Sequence, residues 1–179
     1  LVDEIAAREM SDVSLRVRDA MVERLKATTA LAKLNIRARP KKVDLKTFSA
    51  LAQTGAALIQ NIGSQYEPRA IALGSVVQER EIFFDIVLIY RNAAERASSD
   101  GGADDEVYEY AFEIIKALQG WRPPDCYEAM RVLGDDFIDE YDGIWQYGIR
   151  FAVKTLTVQE VSDLQEPRLS EALFNENLL

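Results

Sequence analysis

Nine consecutive residues, Ile82 to Tyr90 (IFFDIVLIY), constrain this chain more than any other stretch, because only Asp85 among them is charged. Ile82, Phe84, Ile86, Leu88 and Tyr90 recur with a period of two, so they share one side of a strand. That side must face a core. The alternate set, Phe83, Asp85, Val87, Ile89 and Arg91, mixes apolar and charged residues, and its side is at least half covered. Ile144 to Val158 alternates more cleanly, with Trp145, Tyr147, Ile149, Phe151 and Val153 against Gln146, Gly148, Arg150 and Lys154. It predicts a strand with one wet face. Between the two, a helix is expected near Ala103 to Leu118, with a buried stripe of Val107, Ala111, Ile114 and Leu118 widened by Tyr108, Phe112 and Ile115. Acids Asp104, Asp105 and Glu106 suit the positive end of its dipole, and Gly120 stops it.

The remaining segments arrange themselves around this centre. Residues 1–12 read as a frayed or helical lead-in, followed by a helical pattern of Val13, Val17, Ala20, Met21, Leu25, Leu31 and Leu34, with Ser11 or Asp12 available as N-cap. A short strand is expected around Ile36 before Pro40, and a short helix within Asp44 to Gly55 carrying Leu45, Phe48 and Leu51. Ala56 to Ile62 reads as a strand, with a turn from Gly63 through Pro68. Ala70 to Arg80 is a further strand, or the lead into the central one through a bulge at Gly74. Asn92 to Asp105 is expected to be a mobile polar loop, and Trp121 to Asp125 (WRPPD) a stiff connector. Tyr127 to Gly134 reads as a strand and Asp135 to Gly143 as an acidic turn, anchored on the core by Phe137, Ile138 and Tyr141. The last segment is either disordered or an amphipathic arm that docks through Leu169, Leu173 and Phe174. Together these elements predict an α+β fold, a mostly antiparallel sheet with helices packed on one face. One domain would span residues 13–158, between a lead-in (1–12) and a C-terminal arm (159–179).

Composition limits the chemistry. The 179 residues, 48% hydrophobic and 28% charged, suffice for one domain with a real core. No apolar run reaches the length of about 18 residues that a membrane helix needs, and the first ten residues lack the apolar stretch of a secretion signal. The lone cysteine, Cys126, forms no internal disulfide and fits a reducing compartment. Zero histidines remove the Ser-His-Asp and Cys-His nucleophile systems and the usual zinc ligands. Neither GxGxxG nor a phosphate loop is present. No catalytic, cofactor-binding or metal-binding residue is therefore assigned. Asp135, Asp136 and Asp139 offer oxygens to a hard cation, but their spacing matches no calcium loop, and a solvated acidic turn is the simpler reading. Asp85 is expected to face solvent or cap a neighbouring backbone; a second carboxylate beside it would instead suggest a carboxylate-based enzyme.

The net charge of −9 is unevenly spread. Arg16 to Lys46 carries ten basic residues against three acids, whereas Glu95 to Asp142 carries fourteen acids against four basic residues. The two segments are solvated surfaces of opposite sign, or they meet between copies packed head to tail. In the second case Arg16, Arg18, Arg37, Arg39, Lys41 and Lys42 of one copy would face Asp104, Asp105 and Glu109 of the next. The basic residues lack interleaved aromatics, so nucleic-acid binding is not expected.

A helix, a meander containing GSVVQEREIFFDIVLIYRN, a polar loop, an acidic amphipathic helix and a closing strand IWQYGIRFAVKTLTV follow one another. This order resembles the tail terminator or tail completion proteins of long-tailed bacteriophages, in particular the Mu-like family also found in prophages. Glu81 to Asn92, Asp105 to Leu118 and Trp145 to Thr157 are the matching pieces; the resemblance spans Val13 to Val158 and is one of pattern rather than of an invariant motif. It implies a structural protein of the virion tail, assembled in the bacterial host cytoplasm. Such a protein is a homo-oligomer, typically a hexameric ring, that caps the tail tube, ends its polymerisation and offers a surface to a head-completion or connector protein. DNA would only pass through, and Ser98, Ser99, Asp100, Asp135, Asp136 and Asp139 become candidates for lumen or tube-facing positions. The segments before Val13 and after Val158 depart from the family layout. A soluble α+β assembly or binding protein unrelated to phage tails would show the same periodicities.

Overall fold

The computed structural model describes residues 12–40, 50–52, 55–68, 70–72, 75–91, 102–141 and 144–160. In chain order these form helix α1 (Val13–Lys26), a 3-10 turn (Thr29–Leu31), β1 (Asn35–Ala38), β2 (Ala56–Tyr66), β3 (Ala70–Ala72), β4 (Ser75–Arg91), α2 (Gly102–Leu118), β5 (Arg131–Tyr141) and β6 (Ile144–Glu160). The strands make one sheet in the order β1-β2-β4-β6-β5, with β3 also paired to β4. Only β1 and β2 run parallel; the other pairings are antiparallel.

The sheet is organised on β4 and β6, each 17 residues long and paired without a register shift. Their apolar alternation sets opposing pairs, Ile82 with Val153, Phe84 with Phe151 and Ile86 with Ile149, all at most 1% exposed. Cross-strand packing of this kind is what stabilises a sheet face. Onto it α1 lays Val17, Met21 and Leu25, and α2 lays Val107, Ala111, Ile114 and Leu118. Their spacings of three and four put each set on one helical side. Both helices thus cover the same face, giving the expected α+β architecture.

Caps and cross-links hold the helices in place. The Asp12 carboxylate accepts from Ser14 N (2.7 Å) at the start of α1 and from Ser14 Oγ. It also pairs with Arg80 of β4 at 3.2 Å, tying the helix start to the sheet. At the other end Arg24 Nε donates to Ala117 O (2.6 Å) in the last turn of α2, where a cation suits the dipole. The same guanidinium lies over the Trp121 ring. On the opposite sheet face a smaller cluster joins Leu51, Ala52, Ala56, Leu58, Val87, Ile89 and Ile144. Gly55 enters β2 with φ 73°, where a Cβ would sit 2.9 Å from Leu34 Cδ2 and 3.2 Å from Tyr90 Cδ2.

Several elements differ from the sequence expectations. α1 ends at Lys26, and Leu31 and Leu34 reach the core through the 3-10 turn and the bend after it rather than along a continued helix. β2 runs on through Gly63, a bulge in register between Asn61 and Gly63 rather than a turn. Ala70–Ala72 is a separate short strand that returns onto the start of β4, with Ala72 opposite Ser75; Gly74 lies outside the described residues. Residues 127–130 are a bend, and the expected acidic turn is the body of β5. At a sheet edge, ladder hydrogen bonds to β6 fix an extended backbone while Asp135, Asp136 and Asp139 stay in water. Phe137 and Ile138 do not anchor anything in the core; they are 49% and 50% exposed.

Candidate assembly surface

The sheet has two outer edges among the described residues, and they differ in charge. At one lies β1, whose register alternates Ile36 and Ala38 toward the helical face with Arg37 toward the opposite face. Arg39 follows and donates from Nη1 to Gln60 Oε1 at 3.0 Å. Arg37 Nε is buried without a hydrogen-bond acceptor among the described residues. At the other edge lies β5, with exposed Asp135, Asp136 and Asp139 and exposed apolar Leu133, Phe137 and Ile138. Two register shifts break β5, between Val132 and Gly134 and between Phe137 and Asp139. Bulges and charges are both devices that keep an edge strand from indiscriminate pairing.

Beside β5 the helical layer runs out and aromatic rings become accessible. Tyr108 and Phe112 of α2 are 51% and 62% exposed. The Tyr108 ring meets Tyr147 edge-on at 5.6 Å, and Phe137 meets Trp145 edge-on at 5.5 Å. Tyr147 Oη donates to the Asp135 carboxylate. Burial, and then this bond to a carboxylate, push the Tyr147 hydroxyl up to about 12, so it remains a donor at neutral pH. The expected buried stripe of α2 is therefore too wide: Tyr108 and Phe112 lie on the rim of the core, and Ile115 is half-buried.

The sheet face away from the helices carries a ladder of ion pairs. Asp85 meets Arg150 (3.0 Å), Lys154 meets Glu79 (2.7 Å), and Arg131 meets Glu81. Tyr127 Oη donates to Glu79 as well. The hydrogen bond to Lys154 holds the Glu79 carboxyl below its ordinary range and, reciprocally, raises the ammonium. Asp85 thus neither faces bulk solvent alone nor caps a backbone; its register opposite Arg150 supplies a cation. The described residues contain no group of three or more His, Cys, Asp or Glu placed to hold a metal. No described helix is long and apolar enough to cross a membrane.

The candidate residues fall into three groups. Arg16 bonds Asp125 (2.8 Å) and Arg18 bonds its neighbour Asp19 (2.7 Å), so both have partners within the chain. Arg37 and Arg39 stand together at β1, and Asp135, Asp136 and Asp139 together at β5. Glu109 is exposed on α2, whose first turn also contains Asp104 and Asp105. Lys41, Lys42, Ser98, Ser99, Asp100, Leu169, Leu173 and Phe174 lie outside the described residues. Exposed Leu133, Tyr108 and Phe112 were not among the candidates; for Tyr108 and Phe112 the signal was an apolar stripe on α2 broader than one face can bury.

A family model described as Gp37 protein matches residues 21–176. No curated protein matches the chain. Among solved structures, one similar chain comes from the virion of a native gene transfer agent (GTA) particle. It shares 11% identity and a TM-score of 0.37, over 81% of this chain and 98% of that one.

Proposed function

Because the chain belongs to the Gp37 protein family, we propose that it is a structural subunit of a phage-like virion, acting as the ring that caps the tail tube and ends its polymerisation. The observation that carries this reading is the pair of sheet edges, one basic at β1 and one acidic and partly apolar at β5. A subunit that presents two different, complementary edges joins copies head to tail, and such contacts close into a ring when the rotation allows. The layout of helix, meander, loop, helix and closing strand supports the tail-terminator assignment over a generic binding module.

A terminating ring works by shape and selectivity. One face has to match the tube end well enough to displace the next tube layer, while the opposite face offers no such match and is left for a head-completion or connector protein. Where an assembled ring places acidic side chains toward its hole, DNA passes without adhering, since carboxylates repel phosphates. The experiment is a polymerisation assay with the tail tube protein of the same virus. Addition of this protein in slight excess over tube ends should arrest elongation and leave tubes with one capped end by electron microscopy. Unchanged growth rate and tube length would refute the proposed role.

A further inference from the structure

We infer that β1 of one copy pairs antiparallel with β5 of the next, continuing the sheet across the subunit boundary, with Arg37 and Arg39 set against Asp136 and Asp139. This contact deepens the ring reading and rests on it for its occupant, a second copy of this chain.

Three features converge on it. The first is direction. β1 is parallel to β2, β2 and β6 are each antiparallel to β4, and β5 is antiparallel to β6, so β1 and β5 run oppositely. A copy rotated about an axis along the strands keeps its strand directions, which brings its β1 antiparallel to its neighbour's β5. The second is length. β1 has four residues, and the stretch of β5 between its two register shifts is also four, Gly134 to Phe137. The two regular runs are of similar length, and pairing them one residue out of full overlap sets Arg37 opposite Asp136 and Ile36 opposite Phe137, each pair on one face.

The third is the facing of side chains. Arg37 is opposite Leu58, and Leu58 belongs to the cluster on the face away from the helices. Arg39 reaches Gln60, which pairs with Asp85 on that same face. On β5, Asp136 pairs with Gly148 and Asp139 with Gln146, whose partners across β6 are Val87 and Ile89 of the same cluster. In a continued sheet the two arginines and the two aspartates therefore share one face. On the other face Phe137, which meets Trp145 edge-on, comes beside the Ile36 and Ala38 side. The acids also repel a second β5, which disfavours symmetric edge pairing and leaves the head-to-tail contact.

The test uses the full chain with charges reversed on one edge or both. Arg37→Glu with Arg39→Glu, and separately Asp136→Lys with Asp139→Lys, should each weaken self-association at least tenfold in sedimentation or light-scattering titrations. The variant carrying all four changes should regain much of the loss, and an equimolar mixture of the two double variants should co-assemble, because every β1 of one variant then meets an oppositely charged β5 of the other. Far-UV circular dichroism checks that each variant folds. If lysines in β5 disturb the bulged strand, Asp136→Asn with Asp139→Asn serves instead and should lower the salt sensitivity of assembly. Self-association unchanged by either reversal overturns the edge contact while leaving a ring by another surface standing. Charge-dependent association into open chains or dimers supports the contact and overturns the ring. A wild-type monomer at every concentration and salt overturns the contact.

Discussion

Replacing Asp12 by alanine removes one side chain that serves two elements, the start of α1 and the middle of the sheet. The carboxylate accepts from Ser14 N and pairs with Arg80 at 3.2 Å. Loss of an N-cap costs about 1 kcal/mol. The pair with Arg80 adds about 0.5 kcal/mol, because Asp12 is half exposed and solvent screens it. A total of about 1.5 kcal/mol corresponds to a fall in Tm of about 3–6 °C for a chain of this size. Asp12→Asn keeps a capping acceptor and should lose only the smaller share. The hydrogen bonds from Ser14, and then the charge of Arg80, hold the Asp12 carboxyl below its ordinary 3.8. A depressed folded pKa means that the stabilisation is complete above the ordinary value and is lost as pH falls through the lowered one. Urea denaturation at pH 7 and at pH 2 to 3 reads both effects. A gap between wild type and Asp12→Ala that is absent at pH 7, or as large in acid as at pH 7, would refute the reasoning.

Three other outcomes follow from the packing. Phe84→Ala and Phe151→Ala each remove a fully buried ring from directly opposed positions and should cost about 3–5 kcal/mol. Their double variant should cost less than the sum, because the two share one cavity; chemical denaturation measures all three. Gly55→Ala combines a positive φ with a Cβ 2.9 Å from Leu34, and thermal melting should show a loss of more than about 1 kcal/mol. The Cys126 thiol, pushed up to about 11 first by burial and then by Asp125, should resist alkylation at pH 8 in the folded protein and react promptly in denaturant. Mass spectrometry distinguishes the two cases, and rapid labelling of the folded chain would contradict its burial.

Legibility from sequence followed the strength of the periodic signal. β4 and β6 were legible because their alternation is long and one face is wholly apolar, as Phe84 and Phe151 show. α2 was legible from its three-four spacing, but the exposure of Tyr108 and Phe112 was not, since periodicity finds a stripe without saying how far the partner surface extends. β5 was legible only over Arg131 to Gly134, and its acidic remainder was hidden for a different reason. An edge strand has one neighbour, so Asp135, Asp136 and Asp139 remain solvated there, and their composition is that of a turn. The opposed charge was visible as a property of two segments, whereas its placement in the fold was not. Arg16 is engaged by Asp125 within the chain, and only the sheet order shows that Arg37 and Asp136 stand at opposite edges.

The most direct test of the account is the solution mass of the purified full chain, measured by light scattering across concentration and ionic strength. The account predicts a closed species of ring size, most simply a hexamer, that dissociates as salt screens the β1 and β5 charges. A single subunit mass at every concentration and every salt would contradict it.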